Sequence, residues 1–163
     1  MLTAETVRKL LDYDPETGVF RWRVDRCGTA KKGSVAGTFN AKGYRQIMVA
    51  GKRYYAHRLA WLYVNGEWPP DEVDHVNCDE GDNRIANLRL AVKSENGSNR
   101  KKQKNNSSGV KGVSFHKRIG KFAAQISIYG LDKHLGYFST AEEAHAAYCA
   151  ASEKHYGEFA RFE

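Results

Sequence analysis

The sequence predicts an α+β protein built from two small domains. Apolar residues recur at helical spacing near both ends of the chain and alternate with polar residues in segments between them. A polar stretch rich in Gly, Ser and Asn interrupts these patterns near residue 100. The chain has 163 residues, enough for one ordinary domain or two small ones. We place a first domain at 1–98, a basic linker at 99–107 and a second domain at 108–163.

The first domain is predicted to begin with a helix and to continue through turns and strands. Thr3 can cap this helix, and Val7, Leu10 and Leu11 recur at its spacing. Glycine and proline punctuate the segments that follow. They predict a turn at 14–18, a strand at 19–24, a hairpin at 43–58 with its bend at Ala50 and Gly51, and a helix from residue 56 that stops at Gly66.

The second domain is predicted to be a three-stranded sheet covered by one helix. Residues 111–116, 121–130 and 133–138 have the alternation of short strands, and 141–156 has the composition of a helix. Along 121–128, Phe and Ile share one face with an alanine, and Lys, Gln and Ser share the other. The helix can cover the apolar face, which leaves a polar, basic face exposed.

Charge is concentrated in one part of the chain. The net charge is +7, from 26 Lys and Arg against 19 Asp and Glu. Residues 97–133 alone hold nine basic residues and a single Asp132, whereas residues 134–163 have a net charge of −3. This pattern indicates a surface that faces a polyanion.

Three cysteines and the absence of a long apolar run narrow the class of protein. Cys27, Cys78 and Cys149 are widely spaced and form no CxxC pair, which argues against a zinc ribbon or a disulfide framework. No apolar stretch approaches the length that spans a bilayer, and the first residues lack the features of a secretory signal. We therefore expect a cytoplasmic protein with free thiols and no membrane partner.

A histidine, a carboxylate and several asparagines are grouped in the segment DHVNCDEGDNRIANLRLAVKSEN, residues 74–96. Asp74 directly precedes His75, Asn87 follows 13 residues after Asp74, and Asn96 follows 9 residues later. Phosphodiester hydrolysis needs an activated water and a positive charge near the leaving oxygen. Asp74 and Asn96 offer oxygen ligands to a hard cation, and His75 can accept a proton. Asn87 can bond a backbone group or the His75 ring. Taken singly, each asparagine is also a common turn or cap residue.

The stretch from residue 57 to residue 100 resembles the HNH nucleases, in the form found in phage and intron-borne homing endonucleases. The resemblance implies a ββα-metal fold, a hairpin with a helix laid across it. It implies Asp74 and Asn96 as metal ligands, His75 as general base and Asn87 as the residue that orients His75. His57 also matches this branch, where it would support the hairpin.

Residues 108 to about 160 resemble the AP2/ERF DNA-binding domain, most specifically in GYFSTAEEAHAAY. In that family the exposed face of the sheet contacts DNA. The residues that fall on contact positions or on the same basic face are Lys111, Ser114, His116, Arg118, Lys121, Gln125, Ser127 and His134. Several of these positions are arginine or tryptophan in the plant regulators, so the base preference does not transfer.

Together these features predict a homing-type DNA endonuclease in a bacterial or phage-infected cell. One active site per chain indicates a nick in one strand of double-stranded DNA by a monomer, and two chains on one site would instead give a double-strand break. The cofactor is a divalent metal, Mg²⁺ or else Mn²⁺. Arg100, Lys101, Lys102 and Lys104 of the linker are expected to contact phosphates. The alternative is a non-catalytic DNA-binding regulator with a decayed nuclease domain. An RNA-binding ribosomal-type protein would explain the charge but not the Asp-His-Asn spacing.

Overall fold

The computed structural model describes residues 2–28, 30–100, 106 and 108–162. The chain divides into two compact units, Met1–Leu90 and Ala91–Glu163. The units meet at Leu90 and Ala91, whereas we expected the first domain to extend to residue 98, and the segment that includes Asn96 folds with the second unit. Lys101, Lys102 and Lys104 lie outside the described residues. No helix among the described residues is long and apolar enough to cross a membrane.

The first unit contains two helices and several short antiparallel strands. In chain order these are α1 (Ala4–Leu10), β1 (Leu11–Asp14), β2 (Val19–Trp22), β3 (Thr38–Phe39), β4 (Arg45–Val49), β5 (Lys52–Tyr55), α2 (Ala56–Asn65), β6 (Glu72–His75), a 3₁₀ turn (Ile85–Asn87) and β7 (Leu88–Ala91). Strand β1 pairs with β2, β4 lies between β3 and β5, and β6 pairs with β7. The sheets are small, so the core depends on the helices as much as on the strands.

Helix α1 begins as expected and ends earlier than its apolar spacing suggests. Thr3 caps it by accepting a hydrogen bond from the Thr6 backbone N–H. The helix ends at Leu10, and Leu11 starts β1 in extended backbone. Val7 and Leu11 are both fully buried. Leu11 fits either element, since a buried leucine satisfies a helical face and an alternating strand equally well.

The core of the first unit is a single apolar cluster between the helices and the sheets. Phe20, Ile47 and Leu59 are fully buried within it. The hairpin of β4 and β5 bends at Ala50 and Gly51, as expected from the sequence, and both residues have positive φ. This hairpin leads directly into α2. The first turn of α2, which includes His57, lies beside His75 at the end of β6.

In its described residues, the second unit contains the predicted sheet and two helices. Its elements are α3 (Lys93–Asn99), β8 (Val113–His116), β9 (Lys121–Ile128), β10 (Leu131–Phe138), α4 (Ala141–Tyr156) and a final 3₁₀ turn (Gly157–Phe159). The sheet is antiparallel with β9 in the centre. Helix α4 covers its apolar face, where Ala124 and Ile126 meet Ala144 and Tyr148. Thr140 and Glu143 form a capping box at the start of α4.

Helix α3 overlaps the expected linker 99–107 only at its last residue, Asn99. It is short, polar and contains Gly97, yet Ser98 and Asn99 are buried. Ser98 Oγ lies 3.5 Å from Ser152 Oγ of α4. Composition alone predicts a loop here, because the stabilising contacts are tertiary.

Candidate active site

Asp74 and His75 occupy the end of strand β6, and each is only 5% exposed. Neighbours on a strand point to opposite faces, so a strand with one wet face would bury only one of them. Here both are enclosed, together with Val73. A buried carboxylate next to a buried imidazole is costly unless each has partners. The partners of these two side chains therefore define the site.

Arg89 on β7 is the described ionic partner of Asp74. Its Nε and one terminal nitrogen each lie 3.0 Å from Oδ2 of Asp74. The Asp74 side chain is 6% exposed and the Arg89 side chain 15% exposed, so this is a largely buried ion pair. The guanidinium offsets part of the cost of burying the carboxylate. An ionised carboxylate is also the form that binds a divalent cation.

Aromatic rings enclose the His75 imidazole. The His57 ring meets it edge to face with the centroids 4.9 Å apart, and the Tyr44 ring lies at 6.0 Å. His57 is itself stacked on Tyr55, with the ring centroids 5.4 Å apart. His57 therefore lines the candidate site, in addition to its position at the end of the hairpin.

Burial holds both histidines in their neutral form. It lowers the pKa of His57 to about 3, with a smaller effect from the proximity of His75. Burial also lowers the pKa of His75 below its ordinary value, although a hydrogen bond with Asn83 and the charge of Asp74 act in the opposite direction. A neutral imidazole can accept a proton, which is what a general base must do.

Asn87 bonds the loop that follows β6. Its Oδ1 accepts from the Asn77 backbone N–H at 3.0 Å, and its Nδ2 donates to Asn77 Oδ1 and to the Asp82 carbonyl, both at 2.9 Å. The two hydrogens of Nδ2 are thereby used. Of the two partners expected for Asn87, the structure shows the backbone group. The His75 ring is contacted by Asn83 instead.

The loop 76–84 is held by further hydrogen bonds between its own polar residues. Arg84 pairs with Asp82, and Asp82 also accepts a hydrogen bond from Asn77 Nδ2 at 2.8 Å. The Asn83 carbonyl accepts from the hydroxyl of Tyr13 at 2.8 Å. Gly18 fits against the same stretch, since a Cβ there would overlap the backbone of Arg84. The loop is thus tied to β1 and β2.

Asn96, the second expected metal ligand, lies in α3 of the second unit and is half-buried. Its backbone N–H donates to the Val92 carbonyl, as expected for a residue inside a helix. It is therefore not a helix C-cap. Among the described residues, no three His, Cys, Asp or Glu side chains are grouped so that they could hold a metal ion. A zinc-type ligand set is thus absent from this part of the chain.

Most of the expected DNA contacts in the second unit are exposed. The polar face of the sheet presents side chains from all three strands and from the turn between β8 and β9. The exposed residues are Ser114, Arg118, Lys121, Gln125, Ser127 and His134, and His116 is half-buried. Arg100 is exposed at the end of α3. Side chains directly opposite each other in an antiparallel pair share a face, and His134 lies opposite Gln125.

Lys111 differs from the other expected contacts, because its ammonium group is bonded within the fold. Its Nζ donates to the carbonyls of Ser98, Arg100 and Arg161 at 2.6 to 2.9 Å. An ammonium group has three hydrogens, so these bonds use all of them. Lys111 ties the end of α3 and the C-terminal segment to the sheet within the second unit.

Sequence reasoning missed several residues of both surfaces. Arg89 and Asn83 were not assigned, although an arginine two residues after Asn87 in an alternating segment was a signal for a cross-strand ion pair. Tyr137 was also missed. Its ring centroid lies 4.6 Å from that of His134 and 5.5 Å from that of His116. A register shift at Leu135 sets Tyr137 opposite Ala123, which is small enough to leave room for these rings.

The sequence of this chain is similar to a known family model and to proteins of a phage and a mimivirus. The family model described as HNH endonuclease matches residues 54–98. Protein 3.8 of Escherichia phage T7 is 32% identical over 122 residues, which cover 74% of this chain and 98% of that protein. An uncharacterized HNH endonuclease of Acanthamoeba polyphaga mimivirus is 29% identical over 119 residues, which cover 72% of this chain and 61% of that protein. No solved structure matches the chain.

Proposed function

Since this chain belongs to the same family as Protein 3.8 of phage T7 and carries an HNH endonuclease domain, we propose that it is a homing-type endonuclease that nicks double-stranded DNA. The observation that carries the proposal is the buried pair of Asp74 and His75 inside the matched segment 54–98. His75 is the catalytic base. Its enclosed, neutral imidazole takes a proton from the water whose oxygen attacks phosphorus, and the bond from phosphorus to the leaving oxygen then breaks.

A divalent metal fits the donors that the chain provides. Asp74 would supply a carboxylate oxygen and Asn96 an amide oxygen, which are ligands that Mg²⁺ prefers, with Mn²⁺ as the alternative. So few protein ligands suit a cation that keeps several waters. When bound, the metal supplies positive charge near the leaving oxygen. Arg89 forms an ion pair with Asp74, and its positive charge offsets part of the negative charge at the site.

The other residues hold the site and the DNA. Asn87 acts as a positioning residue through the loop 76–84. The AP2-like sheet of the second unit reads the DNA through Arg118, Gln125 and His134, with Ser114, His116, Lys121 and Ser127 on the same surface. Arg100, Lys101, Lys102 and Lys104 contact phosphates. One site per chain gives a nick by a monomer.

The test is conversion of supercoiled plasmid DNA to the relaxed form in Mg²⁺, with the full chain. His75→Ala should lower the rate by about 10²–10⁴ while DNA binding in EDTA stays within twofold of wild type. His155→Ala is the matched control, because His155 is exposed on α4 and far along the chain from the matched segment. Full cleavage by His75→Ala, or cleavage by wild type in EDTA, would remove the mechanism. Tight binding without any cleavage would favour the non-catalytic regulator.

A further inference from the structure

An open groove in the first unit, lined by α1, β1, β2 and the segment after β2, has a volume of about 750 Å³. It is lined by five basic residues and two acidic ones. Lys9 pairs with Glu5 at 2.7 Å. The remaining charged groups are Arg8, Arg21, Arg23, Lys32 and Asp12, which leave a surplus of three positive charges. We call this the N-terminal groove.

The arginines of the N-terminal groove are held by backbone carbonyls. Arg8 donates to the Tyr63 carbonyl, Arg21 to Gly33 at 3.1 Å and Arg23 to the Arg8 carbonyl at 3.2 Å. No carboxylate among the described residues lies within ion-pair distance of these three guanidinium groups. Asp12 is opposite Arg21 in the strand register and makes no ion pair with it. A carbonyl fixes a guanidinium without neutralising it.

This geometry suits phosphate oxygens. A guanidinium has five N–H donors, and the carbonyl bonds use only one or two of them on each arginine. The remaining donors keep full charge and a restricted orientation. Arginine presents such donors as a planar fork that matches a phosphate group. The side chains of all three arginines are also exposed, so an extended anion can reach them.

The charge distribution along the first unit gives such contacts a purpose. Residues 59–83 contain seven carboxylates and no Lys or Arg. This segment includes Asp74 and the loop that follows it. A DNA strand that approaches this acidic stretch is repelled by it unless cations elsewhere in the same unit attract the strand. The N-terminal groove supplies such cations.

We propose that the N-terminal groove binds the phosphate backbone of duplex DNA, as a contact separate from those of the second unit. The inference rests on the proposed function, since it takes DNA as the substrate. The groove has the chemistry of a phosphate contact, which positions DNA without reading its sequence. The three side chains Arg21, Arg23 and Lys32 can be changed to test it.

The experiment measures binding of the full chain to a fluorescent duplex in EDTA, at several salt concentrations. The variant carries Arg21→Gln, Arg23→Gln and Lys32→Gln. Each phosphate contact contributes about 0.9 to the slope of log K against log salt. If two of the three side chains touch phosphates, the slope falls by about 1.8 and the affinity at 0.1 M salt by roughly 60-fold. The loss should be the same on unrelated duplex sequences.

The control removes three positive charges elsewhere, through Lys42→Gln, Lys52→Gln and Lys154→Gln, and should lower the slope by less than 1. Lys32→Glu is a second variant that keeps the test informative if the triple variant unfolds, because the exposed Lys32 side chain makes no hydrogen bond to another described residue. It should lower the slope by about 1. Circular dichroism confirms that each variant is folded.

A wild-type slope in both groove variants would overturn the inference, and so would an equal loss in the control. Binding of a polyglutamate peptide that the groove variants lose, with unchanged DNA binding, would mean that the occupant is an acidic protein and would also overturn it. Plasmid nicking by wild type in Mg²⁺ is scored separately. Failure to nick sinks the proposed function, whereas a lowered slope still supports the groove.

Discussion

Replacing Asn87 by alanine tests whether the loop after β6 depends on this side chain. The change removes three hydrogen bonds, two with Asn77 and one with the Asp82 carbonyl. Each is worth about 1 kcal/mol net, and Asn87 is only 8% exposed, so water replaces few of the lost bonds. We expect the free energy of unfolding of the first unit to fall by about 3 kcal/mol.

The assay combines urea unfolding with limited proteolysis by a glutamate-specific protease. Glu80 lies inside the loop and is half-buried, so loosening of the loop should speed cleavage after it. Asn65→Ala is the matched control, because Asn65 is exposed and donates only one hydrogen bond, to the Trp61 carbonyl. It should lose less than about 1 kcal/mol.

DNA cleavage distinguishes the two roles considered for Asn87. If it acts through the loop, Asn77→Ala should also reduce both stability and the rate of nicking. The change removes the bond that Asn77 Oδ1 accepts from Asn87 and the bond that Asn77 Nδ2 donates to Asp82, although it keeps the backbone N–H that donates to Asn87 Oδ1. If Asn87→Ala lowered the rate strongly and left unfolding and proteolysis as in wild type, the loop account would be wrong. Direct action on His75 would then be the better explanation.

Three further changes test the site and the fold. His57→Phe should make stability less sensitive to acid. Burial lowers the pKa of folded His57 to about 3 from 6.5, so the free energy of unfolding of wild type is highest above pH 6.5 and falls by about 2 kcal/mol at pH 5 through this residue. If urea unfolding showed the same loss between pH 7 and pH 5 in wild type and in His57→Phe, this account would be contradicted. Gly112→Ala should destabilise the second unit by at least about 2 kcal/mol, because its φ is +75° and a Cβ would overlap the Tyr148 ring. The control is Gly120→Ala, where φ is +70° but the space is open, and it should cost about 1 kcal/mol. Equal losses of melting temperature in the two variants would disprove the overlap. Asp74→Asn should raise the Mg²⁺ concentration needed for half-maximal nicking, and a wild-type Mg²⁺ curve would exclude it as a ligand.

Elements with strong local signals could be predicted from the sequence. Helix α4 lies at the predicted residues because Thr140 and Glu143 cap it and Gly157 ends it. The alternation in β9 gave its buried face, with Ala124 and Ile126 inside. In these segments the residues that set the local backbone and the residues that pack on the core agree.

Other features depended on tertiary contacts that no local pattern contains. Helix α3 has a loop-like composition, and its burial rests on contacts such as that between Ser98 and Ser152. Lys111 resembles the basic residues around it, and only the fold brings its ammonium to three carbonyls. Charge patterns cannot separate a lysine whose side chain supports the fold from one that is available to a ligand.

The asparagines near the candidate site, Asn77, Asn83 and Asn87, have a common physical role. The segment 76–87 follows the buried carboxylate of Asp74 and the buried imidazole of His75. Its side chains must leave these two groups accessible to a substrate, so they cannot form an apolar cover. Asn77, Asn83 and Asn87 achieve this because an amide both donates and accepts, and so can satisfy backbone groups on either side without adding charge. Aspartate at position 87 would keep the acceptor for the Asn77 N–H but would lose both donors and add repulsion toward Asp82. Asn87→Asp should therefore be as destabilising as Asn87→Ala at pH 7 and should recover part of the loss on acidification, when the carboxyl group gains a proton and one donor.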